Sequence, residues 1–137
     1  MSGNPINPRG ARNIRTAHGF TLIELLVVMS IIGVLLTIAV PRYFKTVQRS
    51  KETVLRRDLS VVRESIDKYY GDLGQYPDAL AALVDKRYIR SVPVDPFTKS
   101  AESWLVVQSD DPDHPGVRDI HSGSPDSAAD GSPFVSW

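Results

Sequence analysis

Glu24 is the residue whose chemistry most needs an explanation. Between Phe20 and Val40 the chain runs for 21 residues in which Thr21, Glu24, Ser30 and Thr37 are the only polar side chains. A carboxylate in a membrane helix costs about 2.5–3.5 kcal/mol at the helix centre and less near an end. Two readings follow. One turn from the end of the run, Glu24 can snorkel to the interface. Alternatively, where such helices pack together and exclude water, its charge calls for a cation.

The other residues able to do chemistry lie near the far end. Asp110, Asp111, Asp113, Asp119, Asp126 and Asp130 crowd one segment that holds a single arginine, Arg118. His121 stands beside Asp119 and Ser122, the side-chain types of a hydrolytic triad. A triad is a three-dimensional geometry and not a sequence neighbourhood, and the chain has no nucleophile-elbow motif. His114, between Asp113 and Pro115, reads as a loop residue. With no cysteine, thiol catalysis, disulfides and Cys-ligated zinc are excluded. The reading is a non-enzymatic protein.

These residues must be positioned by few elements. The 137 residues allow one domain at most, with 42% hydrophobic residues for a core. Phe20–Val40 as a helix would be about 31 Å long, against a hydrocarbon thickness of roughly 30 Å. Arg9, Arg12, Arg15 and His18 precede it without an acid, which keeps that end in the cytoplasm. No small-residue cleavage site closes the run, which ends at Val40-Pro41-Arg42-Tyr43, so it reads as a retained single-pass anchor.

Beyond it, apolar or aromatic side chains recur at 44, 47, 55, 59, 62, 66, 69 and 73, with the stem of Lys51 filling the gap. This is an amphipathic helix, ending at Leu73-Gly74. Arg63-Asp67 and Glu64-Lys68 have the spacing of i,i+4 pairs on its solvated face. Pro41 lacks an N–H and is expected to kink or break the helix, as membrane-exit punctuation, as a weak spot for bending, or both. In residues 74–137, Asp78 is expected to cap a short helix over 79–84. Strands are expected at Trp104–Val107, Val117–Ile120 and Phe134–Trp137. The fold class is α+β: a long N-terminal α-helix, membrane-spanning in its first half, packed on a small C-terminal antiparallel sheet.

His18-Gly19-Phe20-Thr21-Leu22-Ile23-Glu24-Leu25-Leu26-Val27-Val28 resembles the processing site of the type IV pilin and type II secretion pseudopilin family. The resemblance implies that prepilin peptidase cuts between Gly19 and Phe20 and methylates the new amine on Phe20. It also implies that Glu24 of one subunit meets that amine on its neighbour during assembly. The likeness continues through Gln75-Tyr76-Pro77, Leu80-x-x-Leu83-Val84, Tyr88-Ile89 and Pro93-x-Asp95-Pro96-Phe97, which are similar to the major pseudopilin of type II secretion systems. That family usually has Trp then Gly after its Asp-Pro; here Phe97-Thr98 stand there. Many type IV pilins close a C-terminal loop with a disulfide, a device unavailable here, which favours the pseudopilin side.

Four regions follow: a cleaved basic leader (1–19), the transmembrane and assembly half of the helix (20–40), its amphipathic half (41–73) and an acidic α+β head (74–137). The implied partners are prepilin peptidase, identical subunits, other pseudopilins and the inner-membrane assembly platform. The implied location is the inner membrane, N-terminus cytoplasmic and head periplasmic, with assembly into a periplasmic pseudopilus or, alternatively, a surface pilus; a further alternative is a membrane-anchored calcium- or partner-binding module that does not polymerise. The resemblance also implies Ca²⁺, since major pseudopilins end in an acidic loop that binds it; Asp119, Ser122, Asp126 and Asp130 could supply some of its six to eight oxygens. The spacing is not that of an EF-hand, and a solvated acidic loop stands as the other reading. A nucleic-acid role is not expected. Net charge is zero, and the basic cluster Arg42, Lys45, Arg49, Lys51, Arg56, Arg57 reads as flanking charge on a membrane-emergent helix.

Overall fold

The computed structural model describes residues 1–3, 5 and 18–137; Arg9, Arg12 and Arg15, and with them most of the expected leader, lie outside the described residues. The elements are α1 (Leu22–Leu73), α2 (Leu80–Asp85), β1 (Leu105–Gln108), β2 (Val117–His121) and a single 3₁₀ turn (Phe134–Ser136). The chain divides into two units, Met1–Ala39 and Val40–Trp137.

In the first unit Thr21 precedes α1, and its Oγ1 accepts the backbone N–H of Glu24 at 3.2 Å. Thr21-x-x-Glu24 is a helix-start pattern, with threonine as cap and an acid in the first turn. Large apolar side chains from Leu22 to Val40 are 45–85% exposed. Such a contiguous apolar surface calls for lipid or for protein partners. Helix α1 continues through Pro41 without a break.

In the second unit Leu55, Leu59, Val62, Ile66 and Tyr69 are buried, at steps of three and four residues along one face of α1. They form one core with Leu83 of α2, Trp104, Val117 and Ile120 of the sheet region, Ala128 and Phe134. The expected stripe is shorter than its periodicity: Phe44 is 65% exposed and Leu73 46% exposed. Gly74 follows at φ 67°, donating its N–H to Tyr70 O at 2.8 Å, and so ends the helix where a left-handed residue is needed.

Strands β1 and β2 pair antiparallel, Leu105 opposite His121 and Val106 opposite Ile120, with an irregularity between Val107 and Gln108. The head differs from expectation at two places. Ala79, in extended conformation, precedes α2 with no side-chain cap, so Asp78 is not the cap residue. Residues 134–136 form the 3₁₀ turn and not a strand, held by Ser136 N–H to Pro133 O (3.0 Å) and Trp137 N–H to Phe134 O (3.1 Å). Tertiary packing decides this: Phe134 is fully buried, stacked on Phe97 with ring centroids 4.1 Å apart and edge-on to Trp137 at 5.0 Å.

Candidate functional site

Two places on the chain carry the candidate chemistry. At the start of α1, Gly19 and Phe20 precede the helix and Glu24 lies in its first turn. A Cβ added at Gly19 would meet nothing within 4 Å. The chain's own packing therefore sets no demand for glycine there. Phe20 is 87% exposed. Glu24 joins an open helix N-terminus, where a carboxylate interacts favourably with the unsatisfied N–H groups.

The second place is the acidic segment. Asp119 Oδ1 accepts from Arg63 Nε at 2.6 Å and from the Ile120 N–H at 2.7 Å. Ser122 is fully buried and donates its hydroxyl to Asp95 Oδ2 at 2.5 Å. Asp95, also fully buried, takes the N–H groups of Phe97 (2.8 Å) and Thr98 (3.3 Å) on its other oxygen. Asp126 engages through its main chain, its N–H to Ser124 Oγ at 3.2 Å and its carbonyl from Phe134 N–H at 3.1 Å. Asp130 Oδ1 accepts from the hydroxyl and N–H of Ser132, which together hold its carboxyl below the usual range.

The four residues suggested for calcium are thus engaged separately. Among the described residues no three His, Asp or Glu side chains cluster as metal ligands would. A calcium site needs six to eight free oxygens around one point. The residues present do not fit it, because Asp119 is taken by a guanidinium and Ser122 by Asp95. The triad-like neighbours also part company: His121 Nδ1 donates to the main-chain oxygen of Trp137 at 2.5 Å, away from both Asp119 and Ser122 in its bonding.

Residues 14–40 match the family model described as the prokaryotic N-terminal methylation motif. The chain is 32% identical over 132 residues to type II secretion system core protein G of Dickeya chrysanthemi, covering 85% of this chain and 82% of that one. The chain belongs to the type IV pilin and type II secretion pseudopilin family. Core protein G of Pseudomonas aeruginosa is 33% identical over 99 residues, 61% of this chain and 70% of its own. Fimbrial protein EcpC of Eikenella corrodens is 38% identical over 81 residues, 56% of this chain and 53% of its own. No solved structure gives a significant match.

As a member of this pilin-like family the chain is a filament-type subunit anchored by an apolar N-terminal helix. Its matched motif coincides with the segment holding Gly19, Phe20 and Glu24. Two residues have structural roles not assigned from the sequence. Thr21 caps α1, and the Thr-x-x-Glu pattern was its visible signal. Arg63 does not pair with Asp67, as its spacing suggested, but with Asp119, 56 residues away. Its signal was position: it sits among Leu59, Val62 and Ile66, at the border of the buried face, where a charge requires a partner. The other expected pair, Lys68–Glu64, is present at 3.2 Å on the exposed face.

Proposed function

We propose that the chain is a structural subunit of a type II secretion pseudopilus. Prepilin peptidase cuts it between Gly19 and Phe20, methylates the Phe20 amine, and leaves a mature chain that polymerises through its apolar helix to drive protein secretion. The observation that carries this reading is Glu24, a carboxylate in the first turn of a helix whose large apolar side chains from Leu22 to Val40 are 45–85% exposed, four residues after Phe20 and inside the matched methylation motif. In packed helices the amine made by cleavage is a cation at the right end of the neighbouring chain to offset that carboxylate. Gly19, free of any packing demand in its own chain, is then constrained by the peptidase, which needs a small side chain beside the scissile bond.

Before assembly the subunit crosses the inner membrane once, with the N-terminus in the cytoplasm and the head in the periplasm, where identical subunits, other pseudopilins and the assembly platform meet it. Pilin relatives support a second reading, a surface pilus subunit. The extent of the match favours the pseudopilus: the likeness to core protein G relatives runs through 61–85% of the chain, that to pilin relatives through 56–69%.

N-terminal sequencing of protein recovered from sheared filaments tests the reading. Material beginning at methylated Phe20 is expected, with Gly19→Val accumulating uncut in the membrane. Assembled material that retains Met1 would overturn it.

A further inference from the structure

The acidic segment does not offer the free oxygens of a calcium site, and the reason lies on α1. Arg63 donates Nε–H to Asp119 Oδ1 at 2.6 Å and Nη2–H to two main-chain oxygens, Ile120 O at 2.8 Å and Trp137 O at 2.6 Å. Three oxygens, one from a side-chain carboxylate and two from the main chain, converge on one guanidinium. That is the class of oxygen a calcium ion collects. The same oxygen of Trp137 also accepts from His121 Nδ1 at 2.5 Å.

Two more side chains of α1 hold the same segment. Glu52 Oε1 accepts the N–H of Ala129 at 2.8 Å. The Arg56 guanidinium lies over the Trp137 ring, 4.1 Å from its centroid. Glu52, Arg56 and Arg63 are four and seven residues apart, one face of the helix. The partners are 56 to 81 residues distant in sequence. A calcium ion among the Arg63-bound oxygens would sit against a fixed positive charge, and like charges at such range repel strongly.

We propose that Arg63 is the permanent cation of the C-terminal segment: with Glu52 and Arg56 it does for residues 119–137 what a bound calcium ion would otherwise do, so that the head holds its fold without calcium. Arginine suits this task. Its guanidinium is charged at every relevant pH and presents five N–H donors in a rigid fork. Unlike an ion it cannot dissociate, so folding of the segment is uncoupled from ion supply. This inference concerns the fold of the head and stands apart from the choice between pseudopilus and pilus.

The test uses the full chain in detergent micelles, followed by the fluorescence of Trp104 and Trp137 during heating, in millimolar calcium and in chelator. Wild type is expected to unfold at one temperature in both. Arg63→Met is expected to unfold about 5–10 °C lower in chelator, the shift a domain of this size shows for the loss of a charged, roughly one-third-exposed hydrogen-bond cluster. Arg63→Lys, which keeps the charge but not the fork, should fall between them. A calcium response that appears only in Arg63→Met, where the three oxygens are released, also supports the proposal. A saturable calcium-dependent rise in wild type overturns it, as does an Arg63→Met midpoint equal to wild type. Should Arg63→Met fail to fold, Arg56→Leu gives the second measurement: an ion-independent loss of about 2–4 °C is expected. A loss that calcium restores counts against the proposal.

Discussion

Replacing Glu24 by leucine separates two roles that differ in size. Within its own helix Glu24 is a first-turn acid whose N–H is capped by Thr21 Oγ1 at 3.2 Å. A carboxylate at a helix N-terminus contributes about 0.3–1 kcal/mol. Losing that alone would change an assembly equilibrium by no more than about five-fold. Pairing with the Phe20 amine of a neighbouring subunit is a larger effect. Two unit charges about 4 Å apart at an effective dielectric constant near 20 attract by about 4 kcal/mol. Its loss corresponds to about a thousand-fold in equilibrium constant. Glu24→Leu also removes a costly carboxylate from the bilayer, so membrane insertion should be unchanged or improved. Sheared-filament yield per cell, normalised to subunit in the membrane fraction, reads the difference. Glu24→Leu is expected to abolish filaments at wild-type membrane levels. Thr21→Val is the control: it costs the helix about 1 kcal/mol of capping but leaves the carboxylate, and filaments should persist. A Glu24→Leu yield within five-fold of wild type, or equal losses from both variants, would refute the pairing argument.

Two further substitutions probe the head, read as midpoints of thermal unfolding of the full chain in detergent. Gly116, at φ 127°, would carry a Cβ 2.8 Å from that of Tyr76 and 2.9 Å from Pro77 O, so Gly116→Ala should cost about 2–4 kcal/mol; an unchanged midpoint would contradict the close approach of these two turns. Burial pushes the Asp58 carboxyl up from its ordinary 3.8, with Asp95 adding to the rise and Arg57 opposing it. Its folded value lies above its unfolded one, so the cost of the ionised form is absent below the unfolded value and complete once pH has passed the raised one. Asp58→Asn should therefore raise the midpoint by about 1–3 °C at neutral pH and leave it unmoved near pH 3, whereas a gain that grows toward acid would reverse the sign of the argument.

What could be read without coordinates was carried by local pattern. The apolar run, the Gly19-Phe20-Glu24 constellation and the three-and-four spacing of Leu55, Leu59, Val62, Ile66 and Tyr69 are all linear signals, and the last returned as the buried face of α1. The same method failed wherever a distant contact outweighs a local one. Phe134–Trp137 reads as a strand by composition, yet Pro133 and the stack of Phe134 on Phe97 turn it into a 3₁₀ turn. Arg63-Asp67 has ideal spacing for a surface pair, yet Arg63 instead takes a carboxylate and two main-chain oxygens 56 to 74 residues away. A main-chain oxygen has no residue identity, so no spacing rule could have named Ile120 and Trp137 as its partners.

The charge distribution follows the same logic. The zero net charge conceals a basic first half and an acidic second half. Within the head the two meet at Arg63–Asp119, and this pair is only about a third exposed, in contrast to Lys68–Glu64 at two thirds. Exposed pairs contribute little to stability, whereas a partly desolvated fork that also satisfies two main-chain oxygens costs much to break. The acids around it have separate tasks: Asp95 orders a turn from inside the core, Asp130 orders its own turn through Ser132, and Asp110 pairs with Arg118 at 3.1 Å. In this segment Asp110, Asp111, Asp119 and Asp130 each have a partner of their own. It folds against the Glu52, Arg56 and Arg63 side chains of α1, and under the proposal above Arg63 supplies the positive charge that a metal would otherwise bring.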